Sequence, residues 1–190
     1  MSKVKIKKSN VNYLNFFIIL VFAISVTFVP TANDPFNNPK FWILLFGGAF
    51  LLGFQLKSFK YILHNNFALF FSVALFILSM LISSIFGRFH YATIFGDTQR
   101  RIGFITLLIL VFFLTYFIRF FELDQLNKIH VIILCTSIIV NIYGFIQSRG
   151  LDFINWNNPY NQIIGTLGNP NFASAFMAVI SSYLVVDLIF

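Results

Sequence analysis

Three arginines, Arg88, Arg100 and Arg101, fall in the stretch 87–101, between two strongly apolar runs. A guanidinium is planar, permanently charged and able to donate two parallel hydrogen bonds, which suits phosphate oxygens. Phosphate binding therefore stands beside interfacial anchoring as a reading of Arg100 and Arg101, and anchoring is the plainer account of Arg88. A second polar group punctuates the end of a later apolar run: Gly144, Gln147, Gly150 and Asp152, with Trp156 just beyond. A third, Gly165-Thr166-Leu167-Gly168-Asn169-Pro170-Asn171, opens the last apolar run. There Asn169 can cap a helix and Pro170 fits the first turn, where its missing N–H is harmless. Free backbone N–H groups and the helix dipole at such a start favour an anion, with Gly168 and Asn171 beside it.

The other chemistry-bearing residues read more plainly. Gln147 and Asn141 are amides inside an apolar run, expected to bond a neighbouring helix. His90 and Asp187 suit the membrane interface, and Asp97 and Asp152 are expected as solvated loop carboxylates. Cys135, the only cysteine, reads as a small packing residue. No Cys/His cluster suggests a metal, and neither a Walker loop nor a Gly-x-Ser-x-Gly elbow occurs, so no cofactor is expected.

The elements that must position these residues follow from composition. Hydrophobic residues make up 58% of the 190 positions and charged residues 10%, well below the roughly 25% charged in a soluble domain. So few charges cannot cover a water-soluble core, which leaves lipid as the solvent. A membrane helix needs about 20 mostly apolar residues. Six runs qualify, at 13–29, 41–56, 67–86, 102–118, 129–147 and 171–190, the second extended by Lys40 and Lys57 snorkelling to the interfaces. Polar/apolar alternation is absent, which disfavours barrel strands. The expected fold is all-α, a polytopic transmembrane helical bundle forming one membrane domain over 1–190.

Charge sets the expected orientation. With the N-terminus cytoplasmic, Lys3, Lys5, Lys7, Lys8, Lys57, Lys60, Arg119 and Lys128 lie inside, and Lys40, Arg88, Arg100, Arg101 and Arg149 outside, eight against five. The three arginines of 87–101 run against that bias, which invites a functional explanation. The net charge of +7 gives no basic face with interleaved aromatics, so nucleic acid is not an expected partner. The first run lacks a small-x-small cleavage site and is expected to be retained. Trp156, Pro159 and Tyr160 suit a headgroup-level loop. The last run meets no basic stop before position 190, so an incomplete form of a longer protein is expected.

Taken in order, the Arg-containing loop, the Gly144-x-x-Gln147-x-x-Gly150-x-Asp152 stretch and the Gly165-Thr166-x-Gly168-Asn169-Pro170-Asn171 turn resemble the O-antigen ligase and polymerase superfamily. Asp34-Pro35-Phe36 with Pro39-Lys40 is similar to that family's early Asp…Pro-Lys pattern. The resemblance covers the N-terminal half of a typical member. It implies glycan transfer from undecaprenyl diphosphate to an acceptor hydroxyl at the outer face of the bacterial inner (cytoplasmic) membrane, without a metal. Arg88, Arg100, Arg101, Asn169 and Asn171 would hold the diphosphate, supported by Gln147, Gly168 and Pro170. The catalytic base, a histidine in the family, would lie in the other half. Lipid-linked glycan and membrane lipids are the implied partners. Two alternatives stay open: a membrane transporter, since some relatives are described as inorganic-carbon transporters, and a non-catalytic fragment.

Overall fold

The computed structural model describes residues 9–55, 67–97, 100–120, 125–156 and 163–189. Lys3, Lys5, Lys7, Lys8, Lys57, Lys60, Thr98, Gln99, Pro159 and Tyr160 lie outside the described residues. Seven helices are described: α1 (Ser9–Val26), α2 (Asn37–Gln55), α3 (Phe67–Phe86), α4 (His90–Phe95), α5 (Phe104–Phe120), α6 (Leu126–Ser148) and α7 (Pro170–Ile189). The described residues include no strand, so the all-α expectation holds. Six helices coincide with the six apolar runs. The boundaries shift because polar residues such as Ser9, Asn10, Asn12, Asn37, Asn38 and Lys40 carry on the helical backbone where the apolar run has not begun. The short α4 has no counterpart among the expected helices.

Three helices, α3, α6 and α7, are long and apolar enough to cross a membrane, and α1 and α5 contain the shorter apolar stretches Leu14–Val26 and Phe104–Thr115. Helix α3 carries the plainest signal. Phe67, Phe71, Leu75, Leu78, Ile82 and Phe86 are all exposed, and among its residues only Ser84 is buried. A helix that is apolar all round yet not covered by protein belongs in lipid.

Packing divides the chain into two compact units, Met1–Leu20 with Phe41–Leu123, and Val21–Lys40 with Asp124–Phe190. In the first, Leu14, Ile18 and Leu20 of α1 are buried together with Phe41, Leu44 and Leu51 of α2 and Ile109 and Phe113 of α5. Gly47 and Gly48 of α2 lie directly against Leu20 and Ile109, the close approach that small residues permit between packed helices. Phe17 packs edge-on against Phe113, with ring centroids 5.3 Å apart. Helices α3, α4 and α5 contact one another. In the second unit α6 packs against α7, with Val140, Tyr143, Ile164 and Ile180 buried.

Candidate functional site

The second unit brings together stretches that are far apart in sequence. Helix α6 ends in a Schellman turn. Gly150 takes φ +67 and donates its N–H to the Gln147 carbonyl at 3.0 Å, while Leu151 donates to Ile146 at 3.1 Å. A residue with a Cβ disfavours that left-handed backbone, and Gly150 supplies it freely. The reversal carries Asp152 back over the helix it has just left. Its carboxylate accepts from Gln147 Nε2 at 2.8 Å, from Trp156 Nε1 at 3.0 Å, from the Tyr143 hydroxyl at 3.2 Å and from the Ile154 N–H at 3.0 Å.

Asp152 is therefore not the solvated loop carboxylate expected. Partial burial works to raise its pKa, but the donations from Gln147, Ile154, Tyr143 and Trp156 outweigh that and hold it below the usual carboxylate range. A carboxylate so fully engaged is a structural anchor and a poor base.

Gln147 is 1% exposed. Its Oε1 accepts the N–H groups of Ile164 at 3.0 Å and Gly165 at 2.8 Å. The expectation that it bonds a neighbouring helix is corrected: its partners are two loop amides and a loop carboxylate, because the chain folds back at Gly150. Asn141, read the same way, donates to Ser137 Oγ on its own helix at 3.3 Å.

Two more side chains hold the same turn. The Thr166 hydroxyl donates to the Ser25 carbonyl at 3.0 Å, and Lys40 Nζ donates to the Thr166 carbonyl at 2.6 Å. Lys40 thus turns inward, where snorkelling to the interface was expected. Asp34 Oδ1 accepts the N–H groups of Phe36 at 3.1 Å and Asn37 at 2.9 Å, closing the start of α2. Its Oδ2 is buried and meets no donor.

Aromatic rings fill the space between these polar groups. Phe28 stacks on Tyr143 with centroids 5.3 Å apart, and Phe36 lies 4.7 Å from Trp156. The Phe36 ring occupies the space a Cβ at Gly168 would need, and Gly168 sits at φ +76, so that position is closed to other residues twice over. Trp156 is part of this cluster.

At the start of α7, Asn169 Oδ1 accepts the Asn171 N–H at 2.8 Å, and Pro170 has no N–H to offer. The expected cap is present, and it occupies an N–H that the anion reading had counted as free. Asn171 is exposed. Beside the turn, α6 and α7 flank a groove of about 490 Å3 whose lining includes Asn141, Ser148 and Ser174 together with Val140, Phe145 and Met177.

The arginines belong to the first unit and differ from one another. Arg88 and Arg100 are exposed, and Arg88 lies 5.9 Å from the Phe89 ring centroid. Arg101 takes a left-handed backbone, φ +52, uncommon for a residue with a side chain. Its guanidinium donates to the Tyr91 hydroxyl at 3.4 Å, and its Nε is buried without an acceptor. His90 is exposed, with Nδ1 3.5 Å from the Ser84 carbonyl. Cys135 is exposed, where a packing residue was expected. Asp187, read as an interfacial charge, lies 3.2 Å from His130 Nδ1. Among the described residues no group of His, Cys, Asp and Glu is arranged to hold a metal ion.

Sequence reasoning passed over Tyr143 and Phe28. The spacing of Tyr143 and Gln147, four residues apart on one helix face, was an available signal; Phe28 carried none. Comparison with protein-family models, with curated proteins and with solved structures gives no match.

Proposed function

We propose that this chain belongs to a multi-span protein of the bacterial inner membrane that transfers a glycan from undecaprenyl diphosphate to an acceptor hydroxyl. The observation that carries this reading is the amphipathic groove between α6 and α7, which ends on a turn clamped by Gln147, Lys40 and Thr166. Its mixed lining, amide and hydroxyl groups among apolar side chains, suits a ligand that is part lipid and part polar. Clamping from several sides pre-organises such a turn, so binding would require little ordering. Asn171 would present its exposed amide to the polar part of the substrate. Exposed Arg88 and Arg100 would pair with diphosphate oxygens, and Arg101, held by Tyr91, would position that loop.

In this reading all six long helices cross the membrane, the N-terminus is cytoplasmic, and residues 87–101 and the α7 start share the outer face. Cysteine labelling from outside intact cells tests the placement at positions 100 and 171; protection of either one from an impermeant reagent ends the proposal. In the complete protein, Arg100→Ala should abolish glycan transfer at an unchanged membrane level. An unaltered polysaccharide ladder would remove the arginine from the site.

A further inference from the structure

The groove and the clamped turn occupy one end of the α6–α7 pair. A different cluster occupies the other. His130 Nδ1 lies 3.2 Å from Asp187 Oδ2, with side chains 27% and 47% exposed. The Tyr183 ring is 5.9 Å from the His130 ring, tilted at 49°. Together with Asn127, Leu126 and Val186 these residues line a cavity of about 370 Å3, within the range of about 300–1,000 Å3 typical of small-ligand sites. Along α6 the cluster is about 26 Å from Gln147 at about 1.5 Å per residue, close to the roughly 30 Å of a bilayer's hydrocarbon core.

The lining has a definite chemical character. Asp187 supplies a half-exposed carboxylate, and only one of its oxygens is taken by His130. Tyr183 supplies an aromatic face, which attracts a cation, and Asn127 a neutral amide. His130, the one basic side chain among the described lining residues, is already committed to Asp187. Leu126 and Val186 are exposed apolar walls, so the cavity adjoins lipid at headgroup depth. A carboxylate beside an aromatic face selects an ammonium group and disfavours a phosphate. We infer that the His130–Asp187–Tyr183 cavity binds the primary ammonium of a phosphatidylethanolamine headgroup, at the membrane surface opposite the clamped turn.

Native mass spectrometry of the purified protein tests this with phosphatidylethanolamine and phosphatidylglycerol of identical chains. The expected result is retention of phosphatidylethanolamine about tenfold better than phosphatidylglycerol, with the preference lost in Asp187→Asn. Equal retention of both lipids, or an intact preference in Asp187→Asn, overturns the site. Should Asp187→Asn fail to fold, Tyr183→Leu leaves the His130–Asp187 contact in place and must still lower retention several-fold; unchanged retention again overturns it. Soluble phosphoethanolamine at millimolar concentration is expected to leave the lipid bound. Full displacement would assign the cavity to a soluble amine and overturn the lipid assignment.

Discussion

Replacing Gln147 with leucine removes three hydrogen bonds from a side chain that is 1% exposed. Two of them, from the Ile164 and Gly165 N–H groups at 3.0 and 2.8 Å, lose their acceptor once the amide is gone. The third, to Asp152, matters less, because Ile154, Tyr143 and Trp156 continue to donate to that carboxylate. Each orphaned buried donor costs about 1–3 kcal/mol. Gln147→Leu should therefore destabilise the clamped turn by about 2–6 kcal/mol. Hydrogen exchange reads this locally. The Ile164 and Gly165 amides should exchange at least about 30-fold faster than in the parent, since about 1.4 kcal/mol is tenfold, while amides in the middle of α3 stay unchanged. Gln147→Glu sharpens the test. It keeps an acceptor for both amides but places a carboxylate where the amide donated to Asp152. That variant should be unstable at neutral pH and recover as pH falls toward about 5, when the new carboxyl takes up a proton. Parent-like exchange at residues 164 and 165 in Gln147→Leu would show that the buried amide does not hold the turn, and the account of the motif would fall.

Two further predictions concern the same knot. Gly168→Ala places a methyl in the Phe36 ring at φ +76 and should destabilise by about 2–4 kcal/mol, strain and overpacking together; Phe36→Ala should relieve the overpacking alone, and a melt in detergent separates the two. Asn169→Ala loses the α7 cap and should cost about 1 kcal/mol, with Asn169→Asp close to the parent, read by exchange in the first turn of α7.

Legibility divided along range of contact. The helices were readable because long apolar runs leave the backbone no partner but itself in lipid. The Asn169 cap was readable because it joins residues two apart. Lys40 carried the opposite signal: a lysine beside an apolar run reads as snorkelling, and nothing nearby in sequence announces an acceptor at Thr166. Asp152 looked solvated for the same reason, since its donors Tyr143 and Gln147 face it only after the chain reverses. His130 and Asp187 lie on different helices, and only antiparallel packing of α6 on α7 makes them neighbours. Local pattern, set by helix geometry and capping chemistry, thus determined the six long helices, though not every boundary nor the short α4. Which buried polar groups satisfy one another was decided by tertiary structure, because each such pair depends on where a distant segment comes to rest.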